Sequence, residues 1–198
     1  MVGIVRSLIV LGLVCSTLFE LTAQTLVYDV VRNGEKLGVF EVQKQTLADK
    51  VVYKAISTTK VWFLKQFTLD YLLNATYSNG VLTESLNQNL RNKVLQNKSV
   101  IKRTGNGYEL NINGIKSAMN DFAVTHSVVQ IYFEEPKNIR TVFSENYGHE
   151  LSIEPVAANK YKLLTPNGNV TYYTFENGYP IEVEFSYSLT TFFFKLRD

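Results

Sequence analysis

Six Asn-Gly pairs are the feature of this sequence that most restricts its fold. They stand at Asn33-Gly34, Asn79-Gly80, Asn106-Gly107, Asn113-Gly114, Asn167-Gly168 and Asn177-Gly178. Asn and Gly both tolerate positive φ, which the tight type I′ turn of a β-hairpin requires at its two central positions. Six such pairs in a chain of 198 residues therefore predict a succession of antiparallel hairpins.

The segments between these pairs have the composition of β-strands. Residues 26–31, 37–42 and 51–56 are rich in β-branched and aromatic side chains, and residues 181–188 alternate between apolar and polar. That period of two places the apolar side chains on one face of a strand. We expect about ten strands in one strongly curved antiparallel sheet or incomplete barrel, with a β-sandwich as the alternative.

One segment, His126 to Pro136, departs from the strand pattern. Ser127 stands in a capping position and Pro136 is a stop signal, which together predict a short helix. The Val, Ile, Tyr and Phe residues between them favour an edge strand instead. We expect the helix, with the edge strand as the alternative.

The first residues have the order of a secretory signal peptide. Arg6 precedes an apolar run from Ser7 to Phe19, and Thr22-Ala23-Gln24 offers small residues to a signal peptidase. The run is shorter than the roughly 20 residues that span a bilayer. We expect cleavage after Ala23, although a cut after Gln24 also fits. The remaining chain, residues 24–198, would be a single exported domain, periplasmic or secreted, without a transmembrane span.

Cys15 is the only cysteine and would be lost with this leader. A lipoprotein signal at Cys15 is the alternative, but such signals normally carry a small residue before the cysteine, and here that residue is Val14. The exported domain would then contain no disulfide, so its core must stabilise it. His126 and His149 stand far apart in the sequence, so we expect no metal site and no cofactor.

The charge pattern excludes one class of partner. Twenty basic and eighteen acidic residues are spread along the chain and give a net charge of +2. The segment from Arg91 to Arg103 holds five basic residues but no interleaved aromatic side chain. We therefore expect a solvated strand face there and no binding of nucleic acid.

Several motifs resemble a family of uncharacterised secreted proteins of Bacteroidota that is catalogued as a domain of unknown function. The most specific are Tyr132-Phe133-Glu134-Glu135-Pro136 and Phe143-Ser144-Glu145; residues 34–38, 79–82 and 166–178 complete the set. The resemblance covers nearly all of the exported domain. It implies an exported compartment and a β fold, and it implies no activity, ligand or catalytic residue.

Three hypotheses for function follow from the residues. The first is a binding or scaffold protein of the cell envelope, by distant analogy with the lipoprotein carriers, which hold acyl chains on a concave sheet face. Its ligand would be a lipid or other apolar molecule, and the candidate contacts are Tyr132, Phe133, Ser144 and Tyr172. For the twelve Tyr and twelve Phe residues themselves, a filled aromatic core is the favoured interpretation, because small barrels normally pack their interiors.

The second hypothesis is a hydrolase of envelope carbohydrate. It would pair Glu134 or Glu135 with Glu145 across a cleft, at a separation of about 5–10 Å. His126, beside Ser127, is a weaker catalytic candidate because adjacency in sequence says little about triad geometry. The alternative for Glu134 and Glu135 is an ion pair with Lys137 or Arg140 that fixes a loop.

The third hypothesis is an interaction protein without a ligand, bound to another envelope protein. Trp62-Phe63-Leu64 lies between Lys60 and Lys65 and would be an exposed apolar loop that touches a membrane or a partner. A buried corner is the favoured interpretation of the same residues, and the exposed loop is the alternative.

Overall fold

The computed structural model describes residues 22–62, 66–187 and 190–197 of the chain. These residues form fourteen strands: β1 Thr22–Arg32, β2 Glu35–Leu47, β3 Lys50–Trp62, β4 Gln66–Ser78, β5 Val81–Arg91, β6 Val94–Thr104, β7 Gly107–Ile112, β8 Ile115–Met119, β9 Thr141–Ser144, β10 His149–Ala157, β11 Lys160–Leu164, β12 Val170–Glu176, β13 Tyr179–Tyr187 and β14 Thr190–Leu196. A five-residue 3₁₀ helix, Val128–Tyr132, stands between β8 and β9. The leader predicted over residues 1–23 lies outside the described residues, except that Thr22 and Ala23 begin β1.

All fourteen strands belong to one antiparallel sheet in the order β8-β7-β6-β5-β4-β3-β2-β1-β14-β13-β12-β11-β10-β9. The pairing of β1 with β14 joins the two ends of the chain, with Tyr28 opposite Leu196. Strands β8 and β9 form the two edges, so the sheet is not closed by strand pairing within the described residues. The prediction of a mainly antiparallel, incomplete barrel is confirmed, and the sandwich alternative is not observed.

The expected number of about ten strands is wrong, since there are fourteen. The additional strands show little of the alternation of apolar and polar residues by which a strand is recognised in a sequence. Strand β6, for example, reads VLQNKSVIKRT and shows no sustained alternation of apolar and polar residues. Its preceding turn is formed by Asn92 and Lys93, both with positive φ, so the hairpin forms there without the glycine that marks such turns in a sequence.

Four of the six Asn-Gly pairs adopt the predicted turn geometry. At Asn33-Gly34, Asn79-Gly80, Asn113-Gly114 and Asn177-Gly178 both residues have φ between 49° and 87°. The β6–β7 hairpin uses Gly105 as its positive-φ residue instead of Gly107. Gly107 has a different role: a Cβ atom there would lie 1.9 Å from the carbonyl oxygen of Met119.

Residues 120–140 link the two edge strands and cross the concave face of the sheet. Within this crossing segment, the helix expected between His126 and Pro136 is present as the 3₁₀ helix after Ser127. The Val124 carbonyl accepts a hydrogen bond from the Leu82 backbone at 2.9 Å, and the His126 carbonyl accepts one from Phe143 at 2.9 Å. The segment thus bridges β5 and β9, which lie far apart in the order of the sheet. No helix in the described part of the chain is long and apolar enough to cross a bilayer.

The turn between β9 and β10, residues 145–148, packs into the concave face beneath β7. Gly148 has a φ of +70°, and a Cβ atom there would lie 2.7 Å from Cδ2 of Leu110 and 3.1 Å from Cδ1 of Ile112. Only glycine combines this backbone conformation with so close an approach. The turn therefore brings one edge of the sheet against the other half, although no strand pairing joins them.

We expect Gly148→Ala to lower the free energy of unfolding by about 2–4 kcal/mol, because it adds a clash with Leu110 to the cost of positive φ. Gly168→Ala is the matched control: Gly168 has a φ of +79° and no atom within 4 Å of a Cβ. It should lose only about 1–2 kcal/mol. Denaturant unfolding measures both. Equal losses would show that the approach to Leu110 has no cost of its own.

Candidate functional site

The tyrosine that covers the centre of the aromatic cluster on the concave face belongs to the 3₁₀ helix and not to a strand. Tyr132, at the end of the 3₁₀ helix, is 7% exposed and lies among rings from three strands. Its ring centroid is 5.7 Å from that of Tyr28, 5.1 Å from Phe40 and 6.0 Å from Tyr173. Aromatic pairs prefer such separations and tilted geometries. We call these four residues the aromatic chamber.

A chain of hydrogen bonds lies beside the chamber and involves the crossing segment. The Tyr77 hydroxyl, on β4, donates to Ser127 Oγ at 2.6 Å, and the Ser127 hydroxyl donates to Glu145 Oε1 at 2.6 Å. The backbone N–H of Val129 also points at Glu145 Oε1, at 3.4 Å. All three side chains are buried. We call Tyr77, Ser127 and Glu145 the polar chain.

Burial raises the pKa of Glu145 from 4.5 to about 7. The hydrogen bond from Ser127 and the nearby backbone N–H groups favour the ionised carboxylate and oppose this rise. The same desolvation raises the pKa of Tyr77 well above 10, and the charge of Glu145 adds to it. Glu145 is therefore a carboxyl group that changes its protonation near neutral pH inside the protein.

The turn that carries Glu145 is fixed from its other side by β5 and β6. The Ser99 hydroxyl, on β6, donates to the Glu145 carbonyl. Asn97 donates to Asn146 Oδ1 at 2.5 Å, and Asn89 donates to the same oxygen at 3.4 Å. These bonds set the position of the Glu145 carboxyl group against Ser127, because the backbone on which it stands is held by two neighbouring strands.

The interior thus has two unlike halves. Aromatic rings from β1, β2 and β12 surround Tyr132, whereas buried polar side chains of β5 and β6 lie near Glu145. Asn87, fully buried, donates to the Tyr71 hydroxyl at 3.0 Å. Ser85 Oγ is buried and has no hydrogen-bond partner among the described residues. An interior of this kind suits a molecule with an apolar part and a polar part better than a pure hydrocarbon.

In this conformation the site is closed. The four rings of the aromatic chamber fill it themselves, since none of them is more than 7% exposed. A ligand would reach the chamber only if the crossing segment moved away from the sheet.

The carboxylates that the sequence offered as catalytic candidates have different surroundings. Glu134 is exposed, and Glu145 is 2% exposed. Glu135 accepts a hydrogen bond from the Tyr161 hydroxyl at 2.9 Å and pairs with Lys137 at 3.0 Å. Glu135 therefore has the contact that the loop-fixing alternative predicted. Its partners differ from those of Glu145, and no shared contact joins the two groups.

His126 is exposed, and its Nδ1 lies 3.1 Å from Thr125 Oγ1. Its neighbour Ser127 has Glu145 and Tyr77 as partners instead. Among the residues that the structure describes, no three His, Cys, Asp or Glu side chains lie together as metal ligands would. These contacts do not test the hydrolase hypothesis, which stays a prediction.

The four candidate ligand contacts fall in different places. Tyr132 belongs to the chamber, and Phe133 packs next to it against Tyr53, with ring centroids 5.6 Å apart. Ser144 is buried, and its Oγ lies 3.3 Å from the Tyr147 backbone nitrogen. Tyr172 is half-buried, with Lys160 Nζ 5.0 Å from its ring. Tyr172 stands next in sequence to the chamber residue Tyr173, so the two side chains point to opposite faces of β12.

Sequence reasoning missed Tyr77 and the strand residues around Glu145. Tyr77 precedes an Asn-Gly turn by one residue and looks like any other strand aromatic. Its partner Ser127 is 50 positions away, and Ser99 is 46 positions from Glu145. The one available signal was polar residues at strand positions 85, 87 and 99, where an apolar core side chain would be usual.

Comparison with solved structures indicates the fold class of this protein. The fold resembles the crystal structure of a β-barrel-like protein of the domain of unknown function DUF1849 from Brucella abortus, with a TM-score of 0.57 and 8% identity. The match covers 91% of this chain and 98% of the other. At this identity the likeness concerns the fold alone. It supports a β-barrel-like fold for this chain.

The family is identified by sequence. The model of the domain of unknown function DUF6134 matches residues 28–197, so the chain belongs to that family. The resemblance noted above to a domain of unknown function is confirmed to that extent. Among curated proteins, none matches the sequence.

The raised pKa of Glu145 predicts that stability falls as pH rises. The folded state binds a proton that the unfolded state releases between about pH 4.5 and pH 7, so alkalinisation favours unfolding in that window. The full difference is about 3 kcal/mol, because each pKa unit corresponds to about 1.4 kcal/mol. Chemical denaturation at pH 5 and pH 8 measures this fall.

Glu145→Gln should flatten this dependence, since the amide keeps the shape and an acceptor oxygen but does not titrate. The matched control is Glu134→Gln, which changes an exposed carboxylate and should leave the pH profile as it is. If the Glu145→Gln protein lost stability between pH 5 and pH 8 as steeply as the unmodified chain, Glu145 would not be the group responsible.

Proposed function

We propose that this chain is a non-catalytic binding protein of a bacterial cell envelope, and that it takes an apolar group, such as a lipid acyl chain, onto its concave face. The leader-like first residues and the resemblance to secreted proteins support the compartment. The aromatic chamber supports the kind of ligand. Envelope proteins with curved antiparallel sheets offer a fold-level analogy and nothing more.

The observation that carries the proposal is the position of Tyr132. Its ring lies among Tyr28, Phe40 and Tyr173, but it comes from the crossing segment and not from the sheet. The other three chamber rings belong to paired strands, which keep their places if the segment moves. An acyl chain that replaced the Tyr132 ring would recover comparable apolar contact, because burial depends on area and has little directional requirement.

The polar chain contributes to the cost of exchanging Tyr132 for a ligand. If the segment leaves, Tyr77 and Glu145 lose their bonds to Ser127, each a contribution of about 1 kcal/mol, or more where the carboxylate is charged. Buried apolar side chains of the segment, such as Val129 and Ile131, also lose their contacts, so the ligand must supply apolar contact in their place. The buried polar side chains of β5 and β6 would then face the polar part of the ligand, for which Ser85 and Asn87 offer donors.

The direct test is native mass spectrometry of the processed chain purified from an envelope extract, followed by solvent extraction. A reproducible additional mass that extracts as a lipid supports the proposal. An unliganded mass in several independent preparations, together with no uptake of added fatty acid or phospholipid, would contradict it and favour an interior filled by its own side chains.

Tyr132→Ala tests whether the ring occupies the ligand's place. Removing the Tyr132 ring should raise the affinity for a dansyl-labelled fatty acid by about tenfold or more, since a smaller fraction of the protein is then in the closed form. The measurement is a fluorescence titration. Tyr132→Leu is the milder variant if the alanine variant does not fold.

Phe192→Ala is the matched control for the cavity itself. Phe192 is 5% exposed and is not one of the four chamber residues; its ring stacks on Phe185, on β13, with ring centroids 5.1 Å apart. This variant also removes a buried aromatic ring, so it should cost a similar amount of stability, about 3–5 kcal/mol. An equal gain in affinity in both variants would mean that any core cavity takes up the label, and the assignment to the chamber would be wrong.

A further inference from the structure

Three hairpin turns lie in a row at one end of the sheet. They join β3 to β4, β5 to β6 and β7 to β8, and in an antiparallel sheet of this order they occupy the same end at every second strand. Strands are about 5 Å apart, so neighbouring turns of this set are about 10 Å apart across the strands. The register also displaces them along the strands: the turn at Asn113 lies level with Lys98, five residues or about 16 Å after Lys93. We call the described residues at these turns, 60–62, 91–95 and 113–116, the tip surface.

Each turn exposes a large apolar side chain. Trp62 is 67% exposed, Val94 63%, Leu95 48% and Ile115 73%. Leu95 and Gly114 line one groove of about 410 Å³, so the second and third turns form a continuous surface. Single exposed apolar residues need no explanation, but a row of them at adjoining turns marks an interaction surface.

Each turn also carries an exposed cation and no acid. Lys60 stands two residues before Trp62, Arg91 and Lys93 flank Asn92, and Lys116 follows Ile115. The three ranges of the tip surface contain no Asp or Glu. Asp70 pairs with Lys93 at 3.0 Å while the Lys93 side chain stays 76% exposed, and the Arg91 guanidinium lies 4.3 Å from the Phe67 ring centroid. Apolar tips therefore project among positive charges.

Two other turns lack this pattern. The turn from β1 to β2, at the same end, carries Glu35 between Arg32 and Lys36. At the opposite end, the turn from β2 to β3 exposes Leu47 beside Asp49. Each of these two turns has an acidic residue within it, whereas the three ranges of the tip surface have none.

We propose that the tip surface docks onto the surface of a bilayer that contains anionic lipids. Exposed Trp prefers the headgroup region, where its ring contacts acyl chains and its N–H stays hydrated. Lysine and arginine next to the apolar residues pair with anionic headgroups, and their long side chains extend to the polar layer while the tips insert. A protein partner would need acidic residues opposite four cations, and a second copy of this chain would bring cations against cations.

Docking on a bilayer is independent of the ligand proposed for the concave face, because the two use different residues. The tip surface could hold the protein at a membrane whether or not the aromatic chamber takes up a lipid. Failure of either proposal leaves the other standing.

Trp62 is the only tryptophan of the chain and reports directly on this surface. The experiment uses the exported, processed chain, whose mass is verified beforehand. It is mixed with one of two kinds of vesicle: phosphatidylcholine containing 30% phosphatidylglycerol, or phosphatidylcholine alone. We expect Trp62 emission to shift to the blue and to be quenched by brominated acyl chains in the anionic vesicles, with much weaker effects in the neutral ones. No shift and no co-sedimentation with anionic vesicles would overturn the proposal.

Lys60→Gln with Lys116→Gln should weaken vesicle partitioning about twenty-five-fold, from about fivefold for each lysine near an anionic surface. The matched control is Lys50→Gln with Lys102→Gln, two exposed lysines toward the opposite end, which should change it less than twofold. Ile115→Ser should weaken binding where Leu47→Ser does not. Equal effects of the two lysine pairs would indicate attraction by net charge alone and would contradict docking through the tips.

Two further outcomes also count against the proposal. A blue shift that grows with protein concentration in the absence of vesicles, with a dimer in sedimentation velocity, would assign the surface to a second copy of the chain. Equal binding to neutral and anionic vesicles by every variant would indicate an uncleaved leader, and mass analysis would identify it.

Discussion

The hydrogen bonds from Tyr77 through Ser127 to Glu145 connect parts of the protein that strand pairing leaves apart. Tyr77 lies on β4, Ser127 on the crossing segment and Glu145 on the turn after β9, the edge strand at the far end of the sheet. An open sheet of fourteen strands exposes an apolar concave face unless something covers it. The polar chain holds the cover in place, so the burial of the aromatic chamber depends on it.

The same interaction limits what the interior can do. A buried carboxyl group without a cation beside it is costly, and the protein accommodates Glu145 by raising its pKa and by hydrogen bonds. The cover is attached by a few polar contacts and by buried apolar side chains such as Val129, Ile131 and Tyr132, whereas the strands are joined by continuous hydrogen-bonded ladders. Segments with such attachments open at lower free energy than the core. A closed interior and a capacity to bind are compatible for this reason.

Much of the fold could be predicted from the sequence, and the site could not. Asn33-Gly34 and Asn177-Gly178 form the turns that their chemistry demands, because the preference for positive φ is local. The hairpin at Asn92-Lys93 was missed because nothing in that dipeptide requires it. Tyr132 and Glu145 were chosen as candidates for separate functions, and neither the chamber nor the link through Ser127 was foreseen. Tyr172, also chosen, stands on the other face of its strand from Tyr173.

The sequence alone determined the antiparallel class, the period-two faces and most turn positions, since each depends on residues a few positions apart. The tertiary structure decided that fourteen strands share one unclosed sheet, that residues 120–140 cross its concave face, and that Glu145 is buried against Ser127. It also placed Lys60, Arg91 and Lys116 at the same end of the sheet. These outcomes depend on contacts across 18 to 50 positions or more, for which a single sequence carries no pairing signal. They follow from how the curved sheet brings distant strands together.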